Sequence, residues 1–287
     1  MTTGAPFERG AQLETDALRV EALQRMSYPQ LRQLLGGNPA RAVRWVRSAA
    51  AQGSAAAQLR LGRMLLEGCG VPADREAAFQ WFARAAAGGD DAEAYNMLGR
   101  CHEHGWGTPL DLNKAAHAFA AAAARGDAWG EYNLGNLLFD GRGVHRDRSE
   151  ALYWYLSAAR RGHARAMNLA GRCLEEGWGC TPDPHAAGEW YRRSAEAGYF
   201  RAQFNYALLL IEGGRAQEAR AWLEKAAQGG DEAMLRAVSS VLARGGLGIM
   251  GRSRGMAQSG SASALGAEGR GFKSLCPDHS GHMGDTP

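Results

Sequence analysis

One short segment has the residue types of a metal site. Cys101-His102-Glu103-His104 places a thiol and an imidazole three residues apart, so on a helix Cys101 and His104 could reach the same ion. A structural zinc ion takes four such ligands, and no matching second pair lies nearby in the sequence. His102 and Glu103 are predicted to face solvent. We therefore predict no metal and no cofactor, and we interpret Cys101, like Cys173, as a buried, inert thiol.

Two other groups contain residue types used in binding or catalysis. Cys276, His279 and His282 lie near the end of the chain, but three ligands in an unstructured peptide make a weak metal site. No serine stands in a nucleophile motif such as G-x-S-x-G. Four G-x-G pairs lack the third glycine and the Lys-Ser/Thr of phosphate-binding loops; they are Gly68/Gly70, Gly105/Gly107, Gly141/Gly143 and Gly177/Gly179. The sequence therefore predicts a protein that is not an enzyme.

A regular spacing of glycines defines the elements that carry these residues. Gly62, Gly99, Gly135 and Gly171 are 37, 36 and 36 residues apart. A period of this length is typical of stacked helical repeats. We predict full units at 55–90, 91–127, 128–163 and 164–199, and a shortened unit at 200–231 with a tighter turn.

Each unit contains two alanine-rich stretches with the apolar spacing of amphipathic helices. The mid-helix glycine costs about 1 kcal/mol relative to alanine, which indicates close approach of the partner helix. The G-x-G pairs follow the first helix, where they predict left-handed backbone and a turn. A tryptophan marks most of the second helices, and we predict that it is a core residue, as in the case of Trp154.

The combined pattern resembles the Sel-1-like repeat, a relative of the tetratricopeptide repeat. Its clearest match is Tyr132-Asn133-Leu134-Gly135, followed by Gly141-Arg142-Gly143-Val144, Trp154-Tyr155, Ala158-Ala159 and Gly162. The resemblance covers about residues 38–246 and departs from the pattern at Ala118, Ala207, Thr108 and Cys180. It implies an all-α fold, a right-handed α/α superhelical solenoid of antiparallel helix pairs. It also implies an adaptor or scaffold for protein–protein interaction, with no reaction.

If the family geometry holds, the first helix of each pair lines a concave groove. Arg63, Arg100, Asn136 and Arg172 each follow the recurring glycine by one residue. A second row precedes the equivalent position by two or three residues: Asn96, Asn133, Asn168 and Asn205. Arginines can hold carboxylates in a fork, and asparagines can bond an extended peptide backbone. The alternative interpretation is an ordinary solvated face.

Two tryptophans are candidates for the rim of this groove. Trp106 and Trp178 both stand in a Gly-Trp-Gly sequence, where the flanking glycines offer the ring little cover. Exposed tryptophans commonly anchor partners. The alternative is that each ring folds back to cap the next repeat.

The ends of the chain differ from the repeats. Residues 1–37 are predicted to form N-terminal capping helices, at 13–26 and 28–35, and a helix is predicted to begin at Pro39. The repeat region is predicted to span 38–246, with a last helix at 232–244. The glycine- and serine-rich composition of residues 247–287 predicts a disordered tail.

Charge and cysteine content narrow the classes of partner. Lys+Arg 33 against Asp+Glu 30 gives a net charge of +3, which argues against a nucleic-acid partner. No stretch is apolar enough to span a membrane, and no secretion signal begins the sequence. Secreted members of the family carry a cysteine pair in each repeat, which this chain lacks. We predict a monomeric, cytoplasmic, bacterial-type adaptor for a protein or peptide, with a hydrolase or a helical-repeat RNA binder as alternatives.

Overall fold

The computed structural model describes residues 39–88 and 90–243, which form twelve α-helices and no β-strand within those ranges. The prediction of an all-α helical-repeat fold is confirmed. The helices are α1 Pro39–Ala51, α2 Ala55–Glu67, α3 Arg75–Ala87, α4 Ala92–His104, α5 Leu112–Ala124, α6 Ala128–Asp140, α7 Arg148–Arg160, α8 Ala164–Glu176, α9 Pro184–Glu196, α10 Phe200–Glu212, α11 Ala216–Gly229 and α12 Glu232–Ala243.

The helices fall into two compact units, which meet in sequence between Arg125 and Gly126. The first unit contains α1 to α5, and the second contains α6 to α12. The predicted capping helices at 13–26 and 28–35 and the predicted tail at 247–287 lie outside the described residues. The division into three domains therefore stays a prediction.

A recurring aspartate starts the second helix of each full repeat. The carboxylate oxygen accepts a hydrogen bond from the backbone N–H three residues further on, at 2.9 to 3.0 Å. Such an N-cap stabilises a helix by about 1 kcal/mol. The four residues are Asp74, Asp111, Asp147 and Asp183. Their spacing follows the repeat period, a signal that the sequence analysis did not use.

The turn inside each full repeat folds the two helices back along each other. The backbone N–H of Asp74 donates to the carbonyl oxygen of Leu65 at 2.8 Å, and that of Asp183 donates to Leu174 at 2.7 Å. These bonds place the start of the second helix beside the end of the first, so the pair is antiparallel. Both glycines of every G-x-G pair have positive φ angles, which confirms the predicted left-handed turns.

The mid-helix glycines each lie under an aromatic ring of the partner helix. A Cβ atom placed on Gly62 would lie 2.5 Å from the Phe82 ring, and one on Gly135 would lie 2.7 Å from the Tyr155 ring. Phe119 covers Gly99 and Tyr191 covers Gly171 in the same way. The prediction of close approach is confirmed, and the group that approaches is a side-chain ring.

The prediction that the tryptophan of the second helix is the core residue was wrong. The ring that packs on the glycine belongs to the next residue, and Tyr155 is 0% exposed whereas Trp154 is half-buried. Because one helical residue turns the side chain by about 100°, neighbouring aromatic residues cannot share one face. The Trp154 indole instead lies at the helix surface and donates to Glu150 Oε1 at 3.3 Å.

The shortened repeat has the tighter turn that its missing residues predict. α10 ends at Glu212 and α11 begins at Ala216, without a side-chain cap from Arg215. The last helix, α12, packs beside α11, and Val238 and Val241 are buried in the core of this repeat.

Candidate binding surface

The predicted arginine row lies on the first helices, but its members differ in exposure. In the first unit Arg63 is half-buried and forms an ion pair with Glu93 of α4. Burial lowers the pKa of its guanidinium. In the second unit Arg172 is only 3% exposed. The Arg172 side chain is therefore not open to a groove.

Each predicted rim tryptophan lies on the arginine of its own repeat. The Arg100 Cζ atom is 5.0 Å from the centroid of the Trp106 ring, and the Arg172 Cζ atom is 5.0 Å from the Trp178 ring. In both repeats the tryptophan stands six positions after the arginine. A cation held over an indole ring at this distance is stabilised by the ring quadrupole. The two predicted groups of binding residues therefore form one recurring contact.

Trp178 also packs onto the preceding repeat. Its ring centroid is 5.2 Å from that of Phe139, and the Arg148 Cζ atom lies 5.6 Å away. Trp178 is half-buried as a result, unlike the poorly covered ring that its glycine neighbours suggested. The cause is Gly179, whose lack of a side chain lets the loop approach the Arg148 carbonyl oxygen.

The burial of Arg172 leaves part of its guanidinium without a hydrogen-bond acceptor among the described residues. Its Nε and Nη1 atoms are buried and make no such bond. Burial lowers the pKa of the group, while the neighbouring Tyr191 raises it. The Trp178 ring is one of the groups that cover this guanidinium.

Two members of the asparagine row join the first helices of neighbouring repeats. Asn205 Nδ2 of α10 donates to Asn168 Oδ1 of α8 at 2.9 Å, and both side chains are buried. Asn136 Oδ1 accepts a bond from the Tyr155 hydroxyl at 3.0 Å. In the first unit Asn96 is also buried, and Asn133 of the second unit is half-buried. A role of these amides in holding a peptide backbone stays a prediction.

An aromatic cluster at the start of α6 was missed by the sequence analysis. Trp129 is 41% exposed, and its ring lies 4.3 Å from His163 and 6.1 Å from Tyr132, edge to face in both cases. The Arg165 Cζ atom lies 5.8 Å from the Trp129 ring. The signal that would have found it is spacing, because Trp129, Arg165 and Arg201 recur at intervals of 36 residues.

The residues considered for metal or thiol chemistry lie in packed surroundings. Cys101 and Cys173 are buried, and burial raises the pKa of each thiol to about 12. His104 lies 4.6 Å from the Trp106 ring. Its neighbour His102 is half-buried against Phe79, which differs from the predicted solvent-facing position. Within residues 39–88 and 90–243, no three His, Cys, Asp or Glu side chains are grouped as metal ligands.

Comparison with protein families assigns this architecture. The Sel1 repeat model matches six segments of the chain, at residues 21–54, 55–90, 92–127, 130–163, 164–199 and 201–231. The chain belongs to the Sel1 repeat family. Sel1 repeats in general mediate protein–protein interaction and are typically non-enzymatic scaffolds. No curated protein matches the sequence.

The solved structures that resemble this Sel1 repeat protein include the following two. A Sel1 repeat protein from Oxalobacter formigenes is 29% identical, with a TM-score of 0.69, and the match covers 84% of this chain and 100% of that one. A protective antigen of uropathogenic Escherichia coli with an SLR fold is 28% identical, with a TM-score of 0.63. That match covers 78% of this chain and 50% of the antigen, so the chain spans half of the antigen's length.

The helices of the Sel1 repeats that the structure describes are short. Among them we find none with both the length and the apolar character needed to cross a membrane.

One Sel1 repeat begins its first helix with a histidine where two others have an aspartate. His163 Nδ1 accepts a hydrogen bond from the Ala166 N–H at 3.1 Å, the bond that Asp91 and Asp127 accept in their own repeats. The ring contacts Trp129 edge to face at 4.3 Å and Tyr132 in a tilted arrangement at 4.7 Å. Burial, with a smaller effect of Arg165, lowers the pKa of His163 to about 4.

This histidine cap predicts a pH-dependent stability. The folded pKa of about 4 lies below the value of about 6.5 expected in the unfolded chain, so the unfolded state binds more protons between these values. The contribution of His163 to the free energy of unfolding is therefore complete above about pH 6.5. It declines toward pH 4 by at most about 1.4 kcal/mol per pH unit. Urea unfolding of the native chain and of His163→Asn across this range measures the difference. Parallel pH profiles would contradict the prediction, since Asn keeps a cap that does not titrate.

Proposed function

We propose that this Sel1 repeat protein is a non-enzymatic adaptor that binds a peptide or a partner domain in the groove lined by its first helices. The observation that supports this most is the register of polar side chains on those helices. Guanidinium and amide groups recur there at the repeat period. Three of the groups stand one residue after a recurring glycine: Arg63, Arg100 and Arg172.

The proposed roles of Arg63 and Arg100 follow from their partial burial. Arg63 and Arg100 are half-buried, so a partner carboxylate can replace or extend their internal contacts with Glu93 and Trp106. Trp106 and Trp178 form the rim, and rotation of Trp178 opens Arg172. The amides proposed to contact the partner backbone are Asn96, Asn133, Asn136, Asn168 and Asn205.

The proposal extends to the setting of the protein. We place it in the cytoplasm as a monomer, without a nucleic-acid or membrane partner. Thiols such as Cys101 and Cys173, which are buried and not disulfide-bonded, suit a reducing compartment. The net charge of +3 offers no basic stripe for a phosphate backbone.

A paired substitution tests the charged anchors. A partner retained from an extract of the source organism is identified and purified, and its Kd is measured against Arg63→Ala/Arg100→Ala. We expect the affinity to fall about tenfold or more, because two charge-assisted contacts are removed. The matched control is Arg84→Ala/Arg160→Ala, which removes two exposed arginines from the second helices α3 and α7. An equal Kd for both double variants would reject the proposed anchors.

A further inference from the structure

Three residues at one register form a surface that is separate from the predicted arginine row. Trp129, Arg165 and Arg201 occupy the second position of α6, α8 and α10, at intervals of 36 residues. We call them the basic–aromatic edge. Trp129 is exposed, and Arg165 and Arg201 are half-buried. All three lie in the second compact unit, so the surface does not depend on how the two units are arranged.

Contacts within the second unit connect Arg165 to Trp129 and helix α8 to helix α10. The Arg165 Cζ atom lies 5.8 Å from the Trp129 ring. Burial raises the pKa of the Tyr132 hydroxyl, and a hydrogen bond with Asn136 and the charges of Arg165 and Arg201 act in the opposite direction. Both guanidinium groups therefore lie near enough to this hydroxyl to favour its ionised form. The Asn168–Asn205 bond holds α8 and α10 together beneath them.

The positive charges of Arg165 and Arg201 lie at unfavourable positions in α8 and α10. Arg165 and Arg201 stand in the first turns of α8 and α10, which contain no acidic residue, and Glu176 and Glu212 stand in the last turns. A helix N-terminus favours anions and its C-terminus favours cations. The second helices α3 and α7 follow that rule, with Glu76 and Glu150 in their first turns and Arg84 and Arg160 in their last. Helix stability therefore does not explain the basic–aromatic edge.

The acidic residue in the first turn of α6 is turned away from this edge. Glu131 is 1% exposed, and its Oε1 atom accepts bonds from Ser157 Oγ at 2.7 Å and from Arg161 Nε at 3.1 Å. Its carboxylate is thus directed at α7. The adjacent His163 is neutral near pH 7, because its pKa is lowered to about 4. The positive charge of Arg165 lies against the Trp129 ring.

We propose that the basic–aromatic edge binds an extended acidic segment of a partner protein, with an apolar side chain on Trp129 and one carboxylate on each of Arg165 and Arg201. Packed helices lie about 8–10 Å apart, and an extended peptide advances about 3.3 Å per residue. The segment therefore carries an apolar residue, a first acidic residue three positions away and a second acidic residue three positions further. This inference rests on the proposed function and names the chemistry of its partner.

A pair of peptide libraries tests this pattern. Each fluorescein-labelled library carries phenylalanine at position one and random neutral residues elsewhere, with Glu at positions four and seven in one library and Gln in the other. Fluorescence anisotropy with the full chain is expected to give at least about tenfold tighter binding of the Glu library. Arg165→Gln/Arg201→Gln is expected to bind both libraries equally. Arg84→Gln/Arg160→Gln has the same change in charge on the second helices and is expected to keep the preference for Glu.

Three results would overturn the inference. These are equal or absent binding of the two libraries by the native chain, a preference for Glu that survives in Arg165→Gln/Arg201→Gln, and tighter binding of a single-stranded RNA oligonucleotide that the same substitutions abolish. Failure here is distinguishable from failure of the proposed function. A natural partner that still depends on Arg63 and Arg100 would leave the adaptor role standing and reject only the acidic segment.

Discussion

Gly179→Ala is expected to be among the most damaging single substitutions in the chain. A Cβ atom at this position would lie 2.3 Å from the carbonyl oxygen of Arg148, and the φ angle is +84°. A backbone atom cannot rotate away, so the loop that carries Trp178 must lift from the preceding repeat. Overpacking costs about 1–3 kcal/mol or more, and a left-handed non-glycine residue adds about 1–2 kcal/mol. Urea unfolding followed by circular dichroism measures the sum.

Gly198→Ala separates the two costs. Gly198 has nearly the same φ angle, +87°, but a Cβ atom there would meet nothing within 4 Å. Gly198→Ala is therefore expected to lower the free energy of unfolding only by the cost of the left-handed backbone, about 1–2 kcal/mol. Equal losses in the two variants would show that the contact between the Trp178 loop and α7 does not stabilise the fold. The tryptophan emission of the chain is expected to change more in Gly179→Ala than in Gly198→Ala, because Trp178 lies in the displaced loop.

The second large effect is expected at Tyr155. Its ring is 0% exposed, covers Gly135 and donates its hydroxyl hydrogen to Asn136. Tyr155→Ala is expected to lower the free energy of unfolding by about 3–5 kcal/mol, as for other large core truncations. Tyr155→Phe removes only the hydroxyl and is expected to cost about 1–2 kcal/mol, because the Asn136 oxygen loses a buried donor.

Trp154→Ala is the matched comparison. The residue is adjacent in sequence and larger, but it is half-buried and its indole bonds Glu150 at the helix surface. We expect it to cost about 1 kcal/mol, typical of a position away from the core. If Trp154→Ala proved as costly as Tyr155→Ala, the assignment of the core ring to the residue after the tryptophan would be wrong.

The helix pairs and turns could be predicted because local residues decide them. Gly68 and its equivalents adopt left-handed angles that other residues avoid, and apolar spacing defines the two helices of each pair. The close approach at Gly62 also followed from sequence, since a mid-helix glycine needs a reason. These features depend on residues within one repeat.

The side-chain positions that decide the binding surface could not be predicted so directly. Trp154 and Tyr155 are both aromatic and differ by one helical step, so periodicity alone could not say which one faces Gly135. Arg172 was expected beside a groove, but its burial depends on the Trp178 loop and on Phe139 of the preceding repeat. Contacts between repeats are set by tertiary packing, which a repeat pattern does not specify.

The basic–aromatic edge lay within reach of the sequence. Trp129 stands six residues before Gly135, and Arg165 stands six residues before Gly171. Counting every register from the recurring glycine, rather than only the positions nearest to it, would have found both. Their exposure and mutual distance still required the structure.

Photo-cross-linking in the source organism tests the central claim, that partners bind the first helices. A benzophenone side chain is placed at Asn133 on α6, and in a second strain at Tyr153 on α7, which is 60% exposed. Both positions belong to one repeat, so the comparison differs in which of its two helices carries the cross-linker. The account predicts a cross-linked partner protein from position 133 and none from position 153. Cross-linking from position 153 alone would place the binding surface on the second helices and contradict the account.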